Sequence, residues 1–341
     1  MEVTIQQDDT SSCNQFVIHR PDAHLSHLWA WGKMVHDLFG YRCFYLVAHE
    51  SDQVLGILPL THVISSLFGN RMVSQPFSDY GGPIVSCPQA VDVLYDKAVE
   101  LALDLNCRYI EFRNLHPMPQ QMVLRTDKAC MILELASDPQ EVWARLRPQI
   151  RNRIRRAQNS DIGVKNGGLE LLDDFYNLWT LRMGQLGTPC YPRRLFEAIL
   201  RTFPQSSTIF LATHKGKTVA AMFAYLSNSS AHTRWGASLR EYDSLSPNHL
   251  LNWAAIEFYC KAGARRFDFG RSTIGSSQYT FKERWGARPI NLNWQYWCSD
   301  PRYLRVIRPD APGYRWKVEV WKRLPLTITR SVGPWISRAL V

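Results

Sequence analysis

Two separated blocks of this sequence repeat in the same order. Phe44-Tyr-Leu-Val-Ala-His49 aligns with Ile209-Phe-Leu-Ala-Thr-His214, and Val54 with Val219, at a spacing of 165 residues. Further on, Ala98-Val-Glu-Leu-Ala-Leu-Asp-Leu-Asn-Cys-Arg-Tyr-Ile-Glu-Phe112 aligns with Ala255-Ile-Glu-Phe-Tyr-Cys-Lys-Ala-Gly-Ala-Arg-Arg-Phe-Asp-Phe269 at a spacing of 157. Two blocks in one order, separated by a single change of length, mark an internal duplication. The chain is therefore expected to fold as two copies of one unit.

The periodicity within each half says what that unit is. In the first half, Leu25, Leu28, Trp29, Met34, Val35 and Leu38 follow a helical spacing that Gly40 stops. Cys43–His49 alternates as a strand, Glu50-Ser-Asp-Gln53 turns, and residues 54–63 return as its partner. A turn-rich loop follows at residues 75–83, then a helical pattern from Val91 to Leu105 and a strand at Tyr109–Phe112. The second half repeats the order, with Leu178-Trp179 in a helix and strands at residues 208–214 and 218–226 around the Lys215-Gly-Lys217 turn. Mixed helices and hairpins give an α/β (α+β) class, each copy a mostly antiparallel sheet flanked by helices. We expect domains at residues 1–129 and 130–300, a tail at 301–341, and a loose leader over residues 1–15.

The copies diverge after the second block. The first continues as Arg113-Asn-Leu-His-Pro-Met-Pro119, where the prolines disfavour a helix. The second continues as Gly270-Arg-Ser-Thr273 and then Tyr279-Thr-Phe-Lys-Glu-Arg-Trp285. Here Phe267 and Phe269 alternate around Asp268 as a half-buried strand, Gly270 ends it, and a helix starts near Ser277. Phe281 and Trp285 would face the core, with Tyr279, Lys282 and Glu283 on another face. A helix N-terminus beside Arg271 and Lys282 suits an anion. Duplicates that differ in this way usually leave one working site and one scaffold, so the chemistry is expected in the second copy.

Charge divides along the same line. Residues 1–141 hold 9 Lys/Arg against 17 Asp/Glu, residues 142–301 hold 22 against 11, and residues 302–341 hold 9 against 2. Between the copies, residues 144–160 contain six arginines and no acid, with Leu146, Ile150, Ile154 and Ala157 as one apolar stripe. Arg151 and Arg155 within it are candidate phosphate contacts, because guanidinium groups pair with phosphate through two parallel bonds. The tail carries Trp316, Trp321 and Trp335 among Lys and Arg, interrupted by Pro325 and Pro334. Its tryptophans are expected to pack on the parent domain; contact with an anionic membrane surface is the other reading.

Other chemistries lack their residues. There is no run of apolar residues long enough for a membrane span, and the acidic start of the chain is unlike a secretory signal. Eight scattered cysteines with no C-x-x-C pair fit a reducing compartment, and the ten histidines have no metal-ligand spacing. His24 and His27 are expected at a surface or interface. G-x-S-x-G, H-E-x-x-H, the P-loop and a strand-linked G-x-G-x-x-G are all absent.

Phe267-Asp-Phe-Gly-Arg-Ser-Thr273 with Tyr279-Thr-Phe-Lys282 and Trp285-Gly-Ala287 resembles the FemAB-like branch of the GNAT superfamily, more narrowly the FemAB-type proteins associated with exosortase and exopolysaccharide systems. Arg151–Ala157, Trp235-Gly-Ala-Ser238, Pro247-Asn248, Lys322-Arg-Leu-Pro325 and Gly333-Pro334 extend the likeness over roughly residues 20–340. The resemblance implies tandem GNAT-like domains. It also implies aminoacyl or acyl transfer, which in better-known members runs from aminoacyl-tRNA to the amine of a peptidoglycan precursor carrying a sugar diphosphate. It gives Phe281 and Lys282 places at the site, the lysine handling negative charge, and makes Asp79, in Ser78-Asp-Tyr-Gly-Gly82, a candidate base or substrate ligand. Two family features are missing. The coiled-coil insertion of some tRNA-using members is absent, and so is the Q/R-x-x-G-x-G/A loop for acetyl-CoA, to which Gln53-Val-Leu-Gly56-Ile-Leu58 comes nearest.

The expected function is an N-acyltransferase or aminoacyltransferase. It would move a group from aminoacyl-tRNA or acyl-CoA, as co-substrate and with no permanently bound cofactor or metal, to an amine of a cell-envelope precursor or exopolysaccharide. Lys282, Tyr279 and Asp79 are the candidate catalytic residues. Phe281, Arg271, Ser272, Asp268, Trp285, Arg234, Arg151 and Arg155 are the candidate substrate contacts. The alternative is a non-catalytic protein that binds phosphoglycan or lipid intermediates in an envelope export system. Expected partners are a phosphate-bearing small molecule or glycan, tRNA, and the anionic membrane surface; the expected location is cytoplasmic, peripheral to the inner membrane.

Overall fold

The structure, a computed structural model, describes residues 1–6, 11–66, 69–303 and 312–340. It divides into two compact units. The first is Met1–Ala129 joined by a segment that begins at Ile290, and the second is Cys130–Pro289 joined by a segment that ends at Arg338.

The first unit opens with β1 (Glu2–Gln6), α1 (Ser11–Ile18) and α2 (Trp29–Phe39). Next come the hairpin β2 (Arg42–Glu50) and β3 (Gln53–Ser65), then β4 (Gly69–Val73), β5 (Ile84–Val85), α3 (Gln89–Asp104), β6 (Tyr109–Asn114) and β7 (Val123–Arg125). Helix α2 buries Trp31, Met34 and Val35 and ends where Gly40 takes a left-handed conformation, φ 71°. Of the expected loose leader, residues 2–6 are instead β1, an edge strand antiparallel to β2 from Glu2↔His49 to Gln6↔Tyr45, and residues 11–15 open α1; residues 7–10 lie outside the described residues. Alternation of Val3 and Ile5 with polar residues is too short a pattern to show a strand by itself, and pairing with β2 supplies the rest.

The second unit contains β8 (Lys128–Glu134), α4 (Pro139–Arg145), α5 (Pro148–Gln158), β9 (Ile162–Gly167), α6 (Leu172–Leu186), α7 (Arg193–Thr202), β10 (Ser207–His214), β11 (Lys217–Ser227) and β12 (Ser230–Ser238). It continues through α8 (Pro247–Lys261), β13 (Arg266–Thr273) and α9 (Ser277–Arg284). The chain then runs on through β14 (Arg288–Asn291), β15 (Asn293–Cys298), α10 (Pro312–Arg323) and α11 (Leu326–Ser337).

Strand order bears out the duplication. The first sheet runs β1-β2-β3-β4-β6-β15-β7, with β5 beside β3, and the second runs β14-β8-β13-β12-β11-β10-β9. The hairpins β2–β3 and β10–β11 correspond. So do the parallel pairs β4–β6 and β12–β13, each joined by a long helix, α3 or α8. The next position is filled from outside each repeat: β8 precedes the second copy, and β15 follows it yet pairs antiparallel with β6. A range of 130–300 for the second domain therefore differs from the fold, since residues 293–298 lie in the first sheet.

Helix α8 is the centre of the second core. Leu250, Leu251, Trp253, Ala255, Ile256, Tyr259 and Cys260 are all buried, so apolar side chains surround it. Helix α5 lies against it through Ile150, Ile154 and Ala157, the stripe expected from the sequence. Pro148 opens α5 at a position where no helical N–H is needed. In the tail, Pro325 does separate two helices, but Pro334 sits inside α11.

Candidate active site

Strands β12 and β13 pair only at Ser230↔Arg266, Ala231↔Phe267 and His232↔Asp268. Both then bend. In β12, the register against β11 passes from Thr233↔Ala224 to Trp235↔Phe223, so Arg234 is the inserted residue of a β-bulge. In β13, Gly270 adopts φ 76°, and a Cβ there would lie 2.7 Å from the Thr233 carbonyl oxygen. That close approach and left-handed backbone require glycine. Gly270 therefore turns the strand but does not end it, contrary to the expectation from the sequence; β13 runs on to Thr273.

A knot of side chains holds the point of divergence. Asp268 is buried; its Oδ1 accepts from Gly270 N at 2.7 Å, and its Oδ2 lies 3.3 Å from His232 Nδ1. Thr233 Oγ1 donates to the Asp268 carbonyl at 3.0 Å. The His232 ring stacks on Tyr225 at 5.4 Å. These contacts make Asp268 a residue that shapes the strand end, where the sequence pattern suggested a substrate contact on a half-buried strand.

The first copy treats the same place differently. Its parallel pair spans Arg71↔Tyr109 to Val73↔Glu111, after which the loop that begins at Ser74 fills the gap. Ser74 N donates to Glu111 O, and Gly81 N and Gly82 N both donate to Arg113 O. The Arg113 guanidinium donates to Ser78 O at 2.8 Å, Gln75 O at 3.3 Å and Glu111 Oε1 at 2.7 Å. Asp79 is buried in this loop, with its carbonyl accepting from Trp294 Nε1 at 3.0 Å. His24 and His27, expected near a surface, are buried beneath it. His27 Nδ1 accepts from His24 N at 3.0 Å while Nε2–H donates to Gly82 O at 3.0 Å, so the ring is neutral, and burial pushes its pKa down to about 4. The first opening is thus closed by its own backbone. In the second copy Arg234, Ala237, Ser238 and Arg271, just past the end of the β12–β13 ladder, are half-buried.

Helix α9 sits beside the far end of β13. Ser276 caps it, its Oγ accepting from Tyr279 N at 3.2 Å. Lys282 Nζ donates to Gly270 O at 2.8 Å and Arg271 O at 3.2 Å, which fixes the ammonium at the turned strand. Trp285 is buried against Phe269, as the helical spacing predicted, whereas Phe281 and Tyr279 are only half-buried. Ser272 Oγ and Trp285 Nε1 are buried without a hydrogen-bond partner among the described residues.

The sequence reading missed His249. His249, in the first turn of α8, meets Phe281 edge-on at 5.2 Å and stacks on Trp285 at 6.0 Å. Burial and then the Arg153 charge lower its pKa to about 4, so it is neutral at pH 7. Pro247-Asn248-His249 at a helix start was the available signal. The arginines of α4 and α5 have separate fates. Arg145 pairs with Glu141 at 3.1 Å, Arg151 donates to Ala144 O at 3.3 Å, Arg155 lies over the Trp143 ring at 5.6 Å, and Arg156 reaches Ser244 O at 3.5 Å. No glycine occurs from Leu239 to His249, the turn before α8, so a glycine-rich amide cradle is not formed there.

Residues 144–283 match the family described as acetyltransferase (GNAT) domain. No curated protein matches the chain by sequence. Among solved structures, FemX superposes with a TM-score of 0.66 at 14% identity, over 86% of this chain and 97% of that one. The C-terminal domain of a putative lysylphosphatidylglycerol synthetase from Agrobacterium fabrum gives 0.58 at 11% identity, over 84% and 90%. L-PGS from Bacillus licheniformis gives 0.53 at 12% identity, over 85% and 91%. At such identities the likeness is one of fold.

Proposed function

From the premise that this chain is an acyltransferase carrying a GNAT domain in a FemAB-like fold, we propose that its second unit transfers an acyl or aminoacyl group to an amine of a cell-envelope precursor or exopolysaccharide. The observation that carries this reading is the opening between β12 and β13, kept by the Arg234 bulge and Gly270, at a place where the first copy is filled by backbone. An extended donor arm lies along the exposed strand edges. The acceptor amine attacks the donor carbonyl, the new C–N bond forms, the C–O or C–S bond to the donor breaks, and the amine loses a proton. Lys282 holds positive charge at the strand turn, where the developing oxyanion or a donor phosphate is stabilised. Tyr279, one helical turn earlier in α9, takes or relays the proton. Exposed Arg153, Arg155 and Arg156 give the phosphate of donor or acceptor a basic face. The name lysylphosphatidylglycerol synthetase, borne by one neighbour in fold, supports aminoacyl chemistry as one arm of the proposal.

The cytoplasm is the proposed location. A thermal-shift panel of acyl-CoAs, aminoacyl-tRNAs and UDP-sugars, followed by turnover with whichever donor stabilises the protein, tests the reading. Stabilisation by one donor class and transfer to an amine is the expected result. Stabilisation by UDP-sugars alone, with no turnover from any donor, would replace it with a phosphoglycan-binding role.

A further inference from the structure

Helix α11 is turned inside out. Its buried positions are Thr329, Gly333 and Ser337, while Ile328, Val332 and Trp335 are 42%, 39% and 56% exposed. Residues 328, 332 and 335 fall on one face, spaced as a helix normally spaces the residues it buries. Helix α10 adds Trp316 at 61% and Val320 at 51%, again four apart.

Rotation of α11 to hide these groups is blocked from the other side. A Cβ on Gly333 would lie 2.9 Å from Cys190 Sγ and 3.0 Å from Cys190 N, so only glycine permits the approach. Cys190 Sγ donates to Thr329 O at 3.5 Å. Arg330 Nε donates to Thr180 Oγ1 and its Nη2 to Asn177 Oδ1, each at 3.0 Å, clamping α11 to α6. The apolar face is therefore held outward by specific contacts.

We propose that this face is a docking surface for an anionic lipid bilayer. Charge chooses the occupant. Residues 316–338 carry Lys317, Lys322, Arg323, Arg330 and Arg338 against Glu319 alone. A second copy docked across a twofold axis would bring this basic segment against itself, whereas anionic headgroups neutralise it. Tryptophan beside lysine and arginine is also the composition favoured at the headgroup boundary, and Lys317 Nζ lies 5.7 Å from the Trp316 ring centre. No helix among the described residues is long and apolar enough to cross a membrane. This inference is independent of the donor and acceptor proposed above.

The test is co-sedimentation of the full-length protein with vesicles of phosphatidylcholine alone or mixed with phosphatidylglycerol. Binding is expected to the mixed vesicles, weakened about tenfold or more by the triple change I328S, V332S and W335S, which touches only outward side chains. The separate pair R323E and R338E, and raised salt, should also weaken it. Circular dichroism and melting temperature of both variants should match the parent. Absence of binding to the mixed vesicles, or binding unchanged in the folded triple variant, overturns the proposal. So does a dimer, measured by light scattering, that the triple change dissolves, because a second copy then covers the face.

Discussion

Lys282 Nζ donates to the carbonyl oxygen of Gly270 at 2.8 Å, tying the only lysine of α9 to the left-handed residue of β13 just past its last pairing with β12. The bond gives Lys282 two tasks: it docks the helix, and it sets a positive charge at the strand turn. A substitution should separate them. Lys282→Ala is expected to lower the melting temperature modestly, since a charge-assisted hydrogen bond at a half-buried site contributes about 1–3 kcal/mol. Turnover should fall by about a hundredfold or more, the usual cost of removing one group that stabilises transition-state charge. Steady-state kinetics beside a melting curve checks this; a folded variant with parental turnover removes Lys282 from the chemistry.

Gly270→Ala tests the opening itself. The new methyl group would sit 2.7 Å from the Thr233 carbonyl oxygen on a backbone at φ 76°. Alanine there costs about 1–3 kcal/mol in strain, and relief requires β13 to move against β12. Urea denaturation should show the loss of stability, and donor binding should weaken along with it. Unchanged stability would mean that the strand accommodates the methyl group and that glycine is not required for the turn.

Two neutral histidines predict an acid-labile fold. His27 and His249 each have a folded pKa lowered to about 4 from an ordinary 6.5. The folded protein thus binds fewer protons than the unfolded chain between those values, so stability is complete above pH 6.5 and is lost as pH falls toward 4. For fully buried His27 the loss is on the order of 3 kcal/mol across the window. Melting temperatures measured from pH 7.5 to 4.5 should decline through this range. His249→Phe, which keeps a ring against Phe281 and Trp285, should flatten the decline; an unaltered pH profile would contradict the burial of a neutral ring there.

What the sequence could show followed from repetition and period. The 165-residue spacing located both hairpins, and the 157-residue spacing located β6 and β13, because strands and helices imprint their own periods. The helix start near Ser277 and Trp285 as a core residue were likewise legible. What escaped was non-local. Exchange of β15 into the first sheet depends on a partner, β6, nearly two hundred residues earlier, and no local pattern encodes that pairing. Burial of His24 and His27 depends on the 75–83 loop folding over them, and polar residues are read as exposed unless their partners are known. Asp268 looked like a substrate ligand because the turn at Gly270 that occupies its Oδ1 is visible only in three dimensions.

The claim that the first copy serves as scaffold makes the sharpest contrast with Lys282. Arg113 and Glu111 are buried as a pair at 2.7 Å, with side-chain exposures of 7% and 13%, and the same guanidinium lies over the Trp294 ring at 4.7 Å. It also holds the loop closed through Gln75 O and Ser78 O. Arg113→Met keeps much of the volume but leaves the Glu111 carboxylate without this partner and two loop carbonyls without this donor. Breaking one side of a buried ion pair costs about 3–5 kcal/mol, so the melting temperature should drop by more than it does in Lys282→Ala. The molecules that remain folded should nevertheless turn over at close to the parental rate, because no reacting group has been touched. Kinetics normalised to the folded fraction, measured well below the transition, distinguishes the two. A collapse of normalised turnover in Arg113→Met would place the first copy's loop in the chemistry and end its description as scaffold.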